Sequence, residues 1–448
     1  MYPPPRKLAW DILQRVDREK SYADLLLDIV LKKSAFKEQD RAFITELVYG
    51  TLRWRGRIDH VISLYSSKPI SKLDPEILNI IRMGAYQLLY LRTPSSAAVD
   101  ESVKLSKNFT SGKASGFVNA VLRAIDRERD KIRYPSRDDD LLTYLCVEHS
   151  HPRWMASMFL KMLGEKDTEE LLKANNIIPP LTLRINTLGT TREELRKTLL
   201  EEDGIESENS PCSPDGLILR NSPPVRQLGL INRGLGIVQD EAAQLVSRLG
   251  APKPGWTVLD TCAAPGGKTT HMAALMKNEG VIQAVDVSQP RLAMIEDNAR
   301  RLGITIIKTA QGDASGPLKF ARNSFDLVMV DPPCSDLGII RRHPDVKWIK
   351  TPDHIAELAE LQLKILSTAS KYVKSGGVLV YSVCTISSRE SEGVIEKFLE
   401  KSKLWSLEPA SKILPKAAAS CSDGDFLRTY PHKHETDGFF AARIRRNT

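Results

Sequence analysis

A chain of 448 residues is too long for one ordinary hydrophobic core, so two or three domains are expected. With 42% hydrophobic and 27% charged residues it is neither fibrous nor largely disordered. Lys and Arg outnumber Asp and Glu by 64 to 56, a balance compatible with a polyanionic partner. The six cysteines, at 146, 212, 262, 334, 384 and 421, show no CxxC pairing, which argues against structural zinc and for a reducing compartment. No run of about 18 apolar residues and no signal-peptide core occurs, so the chain is expected to be cytoplasmic and free of membrane spans.

From Arg6 to Arg133 apolar residues recur three and four apart, as in Leu8, Ile12, Val16, in Leu25, Ile29, Val30, and in Leu78, Ile81, Ala85 and Leu88, which predicts helices throughout. Gly50, Gly84 and Gly116 interrupt this set. Arg53, Arg55 and Arg57 cluster there and read first as a solvated helix face, second as an RNA contact. The Tyr134-Pro-Ser-Arg-Asp-Asp-Asp stretch reads as a linker. Beyond it, Leu181 to Asn186 alternates like a half-buried strand, and Thr191 with Glu194 forms a capping box opening a helix. The expected organisation is an all-helical domain over 1–135, a linker helix and small α+β module over 136–236, and an α/β domain over 237–448.

In that last part, Thr257–Asp260, Val281–Asp286, Phe325–Asp331 and Gly377–Tyr381 are candidate parallel strands with helices between them, the rhythm of a doubly wound, Rossmann-like sheet. Ligands bind such sheets at the carboxyl ends of the strands. The first strand runs into Cys262-Ala263-Ala264-Pro265-Gly266-Gly267-Lys268, whose small residues admit a ligand close to the backbone. Asp286 is placed to receive ribose hydroxyls, and Asp313, after a further strand, to meet an adenine amino group. The turn is not GxGxxG, which disfavours a dinucleotide. Gly267-Lys268-Thr269 matches the end of a P-loop, but Cys262 stands where its first glycine belongs, and Asp286 follows on a second strand. S-adenosylmethionine is the better fit.

Two cysteines come to the same sheet edge: Cys334, directly after Asp331-Pro332-Pro333, and Cys384 at the end of the next strand. Singly, each reads as a packed small hydrophobe, the reading that Cys146, Cys212 and Cys421 keep. Together they suit methylation at carbon 5 of a cytosine. A thiolate added at carbon 6 makes carbon 5 nucleophilic, and a base then removes the carbon 5 proton so that the thiol leaves. Asp331 is placed to hydrogen-bond the base edge. The nucleophile's pKa is expected to fall below the ordinary thiol value of about 8.5, with Lys268 a candidate to lower it.

DTCAAPGGKTTH, AVDVSQPRLAMIEDNARRLG, DPPCSDLGIIRRHPDVKW and YSVCT, in that order, resemble the ribosomal RNA cytosine-5 methyltransferases of the NOL1/NOP2/Sun group. RAFITELVYGTLRWRGRIDHVI and GFVNAVLRAI resemble the NusB-type RNA-binding fold that precedes the catalytic domain in its RsmB subfamily. The resemblance implies a class I methyltransferase domain, attack by Cys384, product release assisted by Cys334, and S-adenosylmethionine contacts from Cys262 through Lys268 and from Asp286, Asp313 and Asp331. It also implies a small-subunit ribosomal RNA substrate. A monomer without metal is expected. Val383 stands where the family commonly has Thr, and Ser388-Arg389-Glu390-Ser391 replaces its Pro-Glu-Glu-Asn run, retaining only Glu390. An RNA-binding factor that has lost turnover is the competing expectation.

Overall fold

Helices alone build the N-terminal part, as the apolar spacing predicts: Pro5–Glu19, Ala23–Lys32, Glu38–Tyr65, Pro75–Tyr90, Ser95–Lys107, Lys113–Glu128, Leu141–Glu148 and Arg153–Ala174. These coordinates are a computed structural model that describes residues 4–32, 36–107, 113–220 and 222–448. They fall into two units, Met1–Ile178 with Ile340–Lys350, and Pro179–Ile339 with Thr351–Thr448. Residues 340–350, which the sequence reading assigns to the catalytic domain, belong to the helical unit.

In the helical unit Ile44, Leu47, Val48, Ile58, Ile62, Ile80, Ile81 and Val99 form the buried core. One predicted stripe is displaced: Leu26 and Leu27 are buried, whereas Leu25 and Ile29 are exposed. Gly50 is a packing glycine, since a Cβ there would lie 2.0 Å from the Tyr86 ring. The arginine cluster is not a solvated face. Arg53 is buried and donates to the Arg341 carbonyl at 3.1 Å, Arg55 pairs with Asp17 at 2.6 Å, and Arg57 pairs with Glu148 at 2.8 Å and lies over the Tyr134 ring. Lys347, also buried, donates to the carbonyls of Arg53 and Ser150 and to Asn176 Oδ1 at 2.7, 2.8 and 3.1 Å.

The second unit carries two sheets. The smaller holds β1 (Leu181–Ile185), β2 (Ser207–Asn209), β3 (Gly216–Leu219) and β4 (Gly236–Val238) in the order β2-β3-β1-β4, antiparallel throughout. Thr191 caps the Arg192–Asp203 helix with the predicted reciprocal bonds to Glu194. The larger sheet contains the predicted strands β5 (Thr257–Asp260), β6 (Val281–Asp286), β7 (Ile307–Gln311), β8 (Phe325–Val330) and β9 (Val373–Val383), joined by β10 (Trp405–Glu408), β11 (Leu427–Arg428) and β12 (Phe440–Arg446). Its order is β10-β12-β9-β8-β5-β6-β7, parallel from β9 through β7 and antiparallel where β12 pairs with β9. Strand order reverses between β5 and its neighbours β6 and β8, so the carboxyl ends of these strands open the crevice that such sheets use for ligands.

Candidate active site

The turn after β5 is shaped for close approach. Gly266 has φ +97°, the left-handed region a side chain avoids, and directly precedes the Gly267–Leu275 helix. The first turn of that helix presents backbone N–H groups to the crevice. Asp286 closes β6 with its carboxylate accepting from Ala264 N at 3.2 Å and from Ser288 N at 3.0 Å. Asp313 follows β7, is exposed, and accepts from Ser315 N at 2.8 Å, which holds its carboxyl below the usual range. Asp331, just past β8, receives Lys268 Nζ at 2.6 Å and Ser382 Oγ at 2.6 Å. Lys268 is thus first the partner of Asp331.

This donor set discriminates between ligands. Three carboxylates at successive strand ends accept hydrogens from hydroxyl, amino or ammonium groups, and they repel a triphosphate. The residues fit S-adenosylmethionine, which carries all three kinds of group, and not a P-loop nucleotide.

Beneath the turn lies a residue whose role sequence alternation does not reveal. Arg184 on β1 is buried, and its guanidinium donates to Gly267 O, to Gln239 Oε1 at 2.6 Å and to Thr270 Oγ1 at 2.9 Å. Alternation places Arg184 on the polar face of a half-buried strand. That face is covered as well, so the small sheet props the glycine turn from below.

The two thiols meet. Cys334 Sγ and Cys384 Sγ are 3.1 Å apart, and Asp336 Oδ1 accepts from Cys384 at 3.2 Å and from Cys334 at 3.5 Å. The Pro-Pro-Cys turn is clamped to the loop after β9 by buried Glu390. It accepts from Ser335 N at 2.8 Å, from Ser335 Oγ and from Gln362 Nε2 at 3.0 Å, and burial pushes its carboxyl up. Gly338 gives its N–H to Cys384 O and accepts from Gly438 N at 2.8 Å; a Cβ at Gly338 would lie 1.9 Å from Gly438 O. Only bare backbone allows this approach.

One expectation is corrected. The Cys384 thiol is held well above its ordinary pKa, first by its hydrogen bond with Cys334, then by burial and the nearby Asp336 and Asp331 carboxylates. The Cys334 thiol is raised as well: its hydrogen bond with Cys384 pulls it down, but burial and Asp336 outweigh that pull. Lys268 is paired with Asp331, and its charge near Cys384 does not outweigh the causes that raise the thiol. Asp336, within reach of both sulfurs, is the site residue the sequence reading passes over. Sequence holds one signal for it, an acidic residue two positions after Cys334.

The sheet, the glycine turn and the carboxylates define an S-adenosylmethionine-dependent methyltransferase. Residues 248–445 match the family described as 16S rRNA methyltransferase RsmB/F, residues 3–127 the NusB family, and residues 151–226 the RsmF/B-like ferredoxin-like domain. The chain is 37% identical to the "Probable ribosomal RNA small subunit methyltransferase B" of Bacillus subtilis, covering 98% of each chain. It is 38% identical to the protein of the same description from Synechocystis, covering 98% of this chain and 99% of that one. Among solved structures it is similar to PH0851, with TM-score 0.79, 30% identity and 99% of each chain covered. It is also similar to NSun6 from Pyrococcus horikoshii, solved with SFG, with TM-score 0.58, 25% identity, and 66% and 98% of the two chains covered. The chain belongs to the family of ribosomal RNA small subunit methyltransferase B, enzymes that modify small-subunit ribosomal RNA with S-adenosylmethionine. Among the described residues no helix is long and apolar enough to cross a membrane.

Proposed function

We propose that the enzyme methylates carbon 5 of one cytosine in 16S ribosomal RNA through a transient covalent bond between Cys384 and carbon 6 of that base. The observation that carries this reading is the convergence of two sulfurs, 3.1 Å apart, at the ends of adjacent parallel strands. A lone thiol there reads as packing; two thiols beside the Asp331 and Asp336 carboxylates suit a reaction with one attack and one release.

S-adenosylmethionine, bound by residues Cys262 through Lys268 with Asp286, Asp313 and Asp331, supplies an electrophilic methyl group. The chain's own residues do the rest. Cys384 adds to carbon 6 and turns the ring into an enamine. Asp331, held by Lys268 and Ser382, faces the base edge and favours protonation at ring nitrogen 3. Cys334 assists removal of the carbon 5 proton, after which the Cys384 sulfur departs. The helical domain and small sheet grip RNA while the cytosine is unstacked into the crevice. The enzyme acts as a cytoplasmic monomer.

The test is a 16S ribosomal RNA transcript containing 5-fluorocytosine, incubated with enzyme and S-adenosylmethionine. A denaturant-resistant adduct that disappears in Cys384→Ala is expected. Its absence from the wild-type enzyme would defeat the covalent reading and favour an RNA-binding factor without turnover.

A further inference from the structure

Both thiols are protonated at rest, so the nucleophile needs a proton acceptor at the moment of attack. Among the described residues, the charged and titratable groups near the pair include Lys268 from the helix after the glycine turn, Asp331 and Asp336 from the loop after β8, and Glu390 from the loop after β9. Lys268 cannot accept a proton in its charged form. The Asp331 oxygens receive Lys268 and Ser382, and the Glu390 oxygens receive Ser335 and Gln362. Asp336 is the carboxylate hydrogen-bonded to the sulfurs, with one oxygen 3.2 Å from Cys384 and 3.5 Å from Cys334.

A second observation concerns the backbone. Asp336 has φ +62°, in the left-handed region that glycine favours and that Asp and Asn also adopt. This conformation sets one carboxylate oxygen within hydrogen-bonding distance of both sulfurs. The Gly338 and Gly438 backbones, bonded to each other and to Cys384 O, hold the loop that carries it.

We propose that Asp336 is a catalytic residue: its Oδ1 takes the proton from Cys384 as the sulfur attacks carbon 6 of the cytosine, and returns it when the sulfur leaves. The S–H bond breaks as its electron pair forms the S–C6 bond, the C5=C6 π pair becomes the C4=C5 bond of an enamine whose nitrogen 3 takes up a proton, and the Cys384 proton rests on the Asp336 carboxylate as a neutral acid. On elimination the carbon 5 proton passes to solvent water, the C5–H pair re-forms the C5=C6 double bond, the C6–S pair returns to sulfur, and that sulfur recovers its proton from Asp336. This rests on the covalent reading above and names the base that reading requires. The carboxylate's second effect is to raise the thiol pKa before substrate arrives, so the nucleophile stays protonated until the base is in place.

The experiment measures single-turnover adduct formation with 5-fluorocytosine-containing 16S ribosomal RNA between pH 6 and 9. Asp336→Asn keeps the shape and is at home in the left-handed region, but accepts no proton. Its adduct rate is expected to fall about 100-fold or more and to climb with pH as solvent takes over, while S-adenosylmethionine affinity by calorimetry stays unchanged. In Asp336→Gly, added formate is expected to restore part of the rate. An Asn variant within about threefold of the wild type with the same pH profile would overturn the proposal. So would a folded Gly variant, judged by S-adenosylmethionine binding, that formate does not rescue. If the wild-type enzyme itself forms no Cys384-dependent adduct, the underlying covalent reading fails instead.

Discussion

Cys334 Sγ lies 3.1 Å from Cys384 Sγ although 50 positions separate them in the chain. They follow neighbouring parallel strands, and the register that pairs Val330 with Tyr381 carries both sulfurs past the same sheet edge. Cys384→Ala is expected to abolish both methylation and adduct. Cys334→Ala is expected to accumulate enzyme linked to methylated RNA. Denaturing gels with labelled RNA separate the two outcomes, and free release of methylated RNA by Cys334→Ala would refute its assigned part in elimination.

Glu390 is buried among Ser335, Gln362 and Thr385. Glu390→Ala leaves buried donors unpaired at about 1–3 kcal/mol each. A fall in thermal midpoint of roughly 5 °C or more is expected, with methylation reduced because the two cysteine loops are no longer clamped together. Glu390→Gln, which keeps an acceptor oxygen, should lose less on both counts. Differential scanning calorimetry beside a methylation assay checks the ranking.

Arg184 holds the glycine turn through a planar fork. Arg184→Met keeps the stem and removes the donors, and S-adenosylmethionine affinity is expected to drop about tenfold or more, the effect of losing a charged hydrogen bond of about 1.5–3 kcal/mol. Arg184→Lys should not restore it, because one ammonium cannot reproduce the fork. Isothermal titration of both variants decides.

Asp260, buried at the end of β5, has its carboxyl pushed up to about 7 from 3.8 by burial, against the opposing bond from Thr269. A carboxyl raised on folding binds more protons folded than unfolded, so its destabilising effect grows as pH rises above the unfolded value and is complete above the folded one. Asp260→Asn removes that titration. Relative to wild type, the variant should gain on the order of 2 kcal/mol between pH 5 and pH 7.5. Urea denaturation of both proteins at the two pH values measures it, and parallel pH dependence would contradict the assignment.

Lys347 gives its hydrogens to two carbonyls and one amide oxygen within the helical unit. Lys347→Met preserves most of the volume and strands those acceptors. Faster amide hydrogen exchange across residues 340–350, together with a lower thermal midpoint, is the expected result.

By itself the sequence determined the kinds of element and much of the chemistry, because both are written in local pattern. Three- and four-residue spacing marked the helices, short apolar runs marked β5, β6, β8 and β9, and small residues ending at Gly266 and Gly267 marked the cofactor turn. Strand ends collect at one edge of a parallel sheet, so the cysteine and aspartate positions already implied a shared crevice. What only the tertiary structure decided depends on neighbours remote in the chain. The arginines at 53, 55 and 57 became internal ties because partners from Asp17, Glu148 and Arg341 reach them. Arg184 changed from a polar-face residue to a buried prop because a second layer covers its strand. The Cys384 thiol pKa rose rather than fell because of its hydrogen bond with Cys334, its burial, and the Asp336 and Asp331 carboxylates nearby. Electrostatic balance sums over every group within a few ångströms, and that sum exists only once the chain has folded.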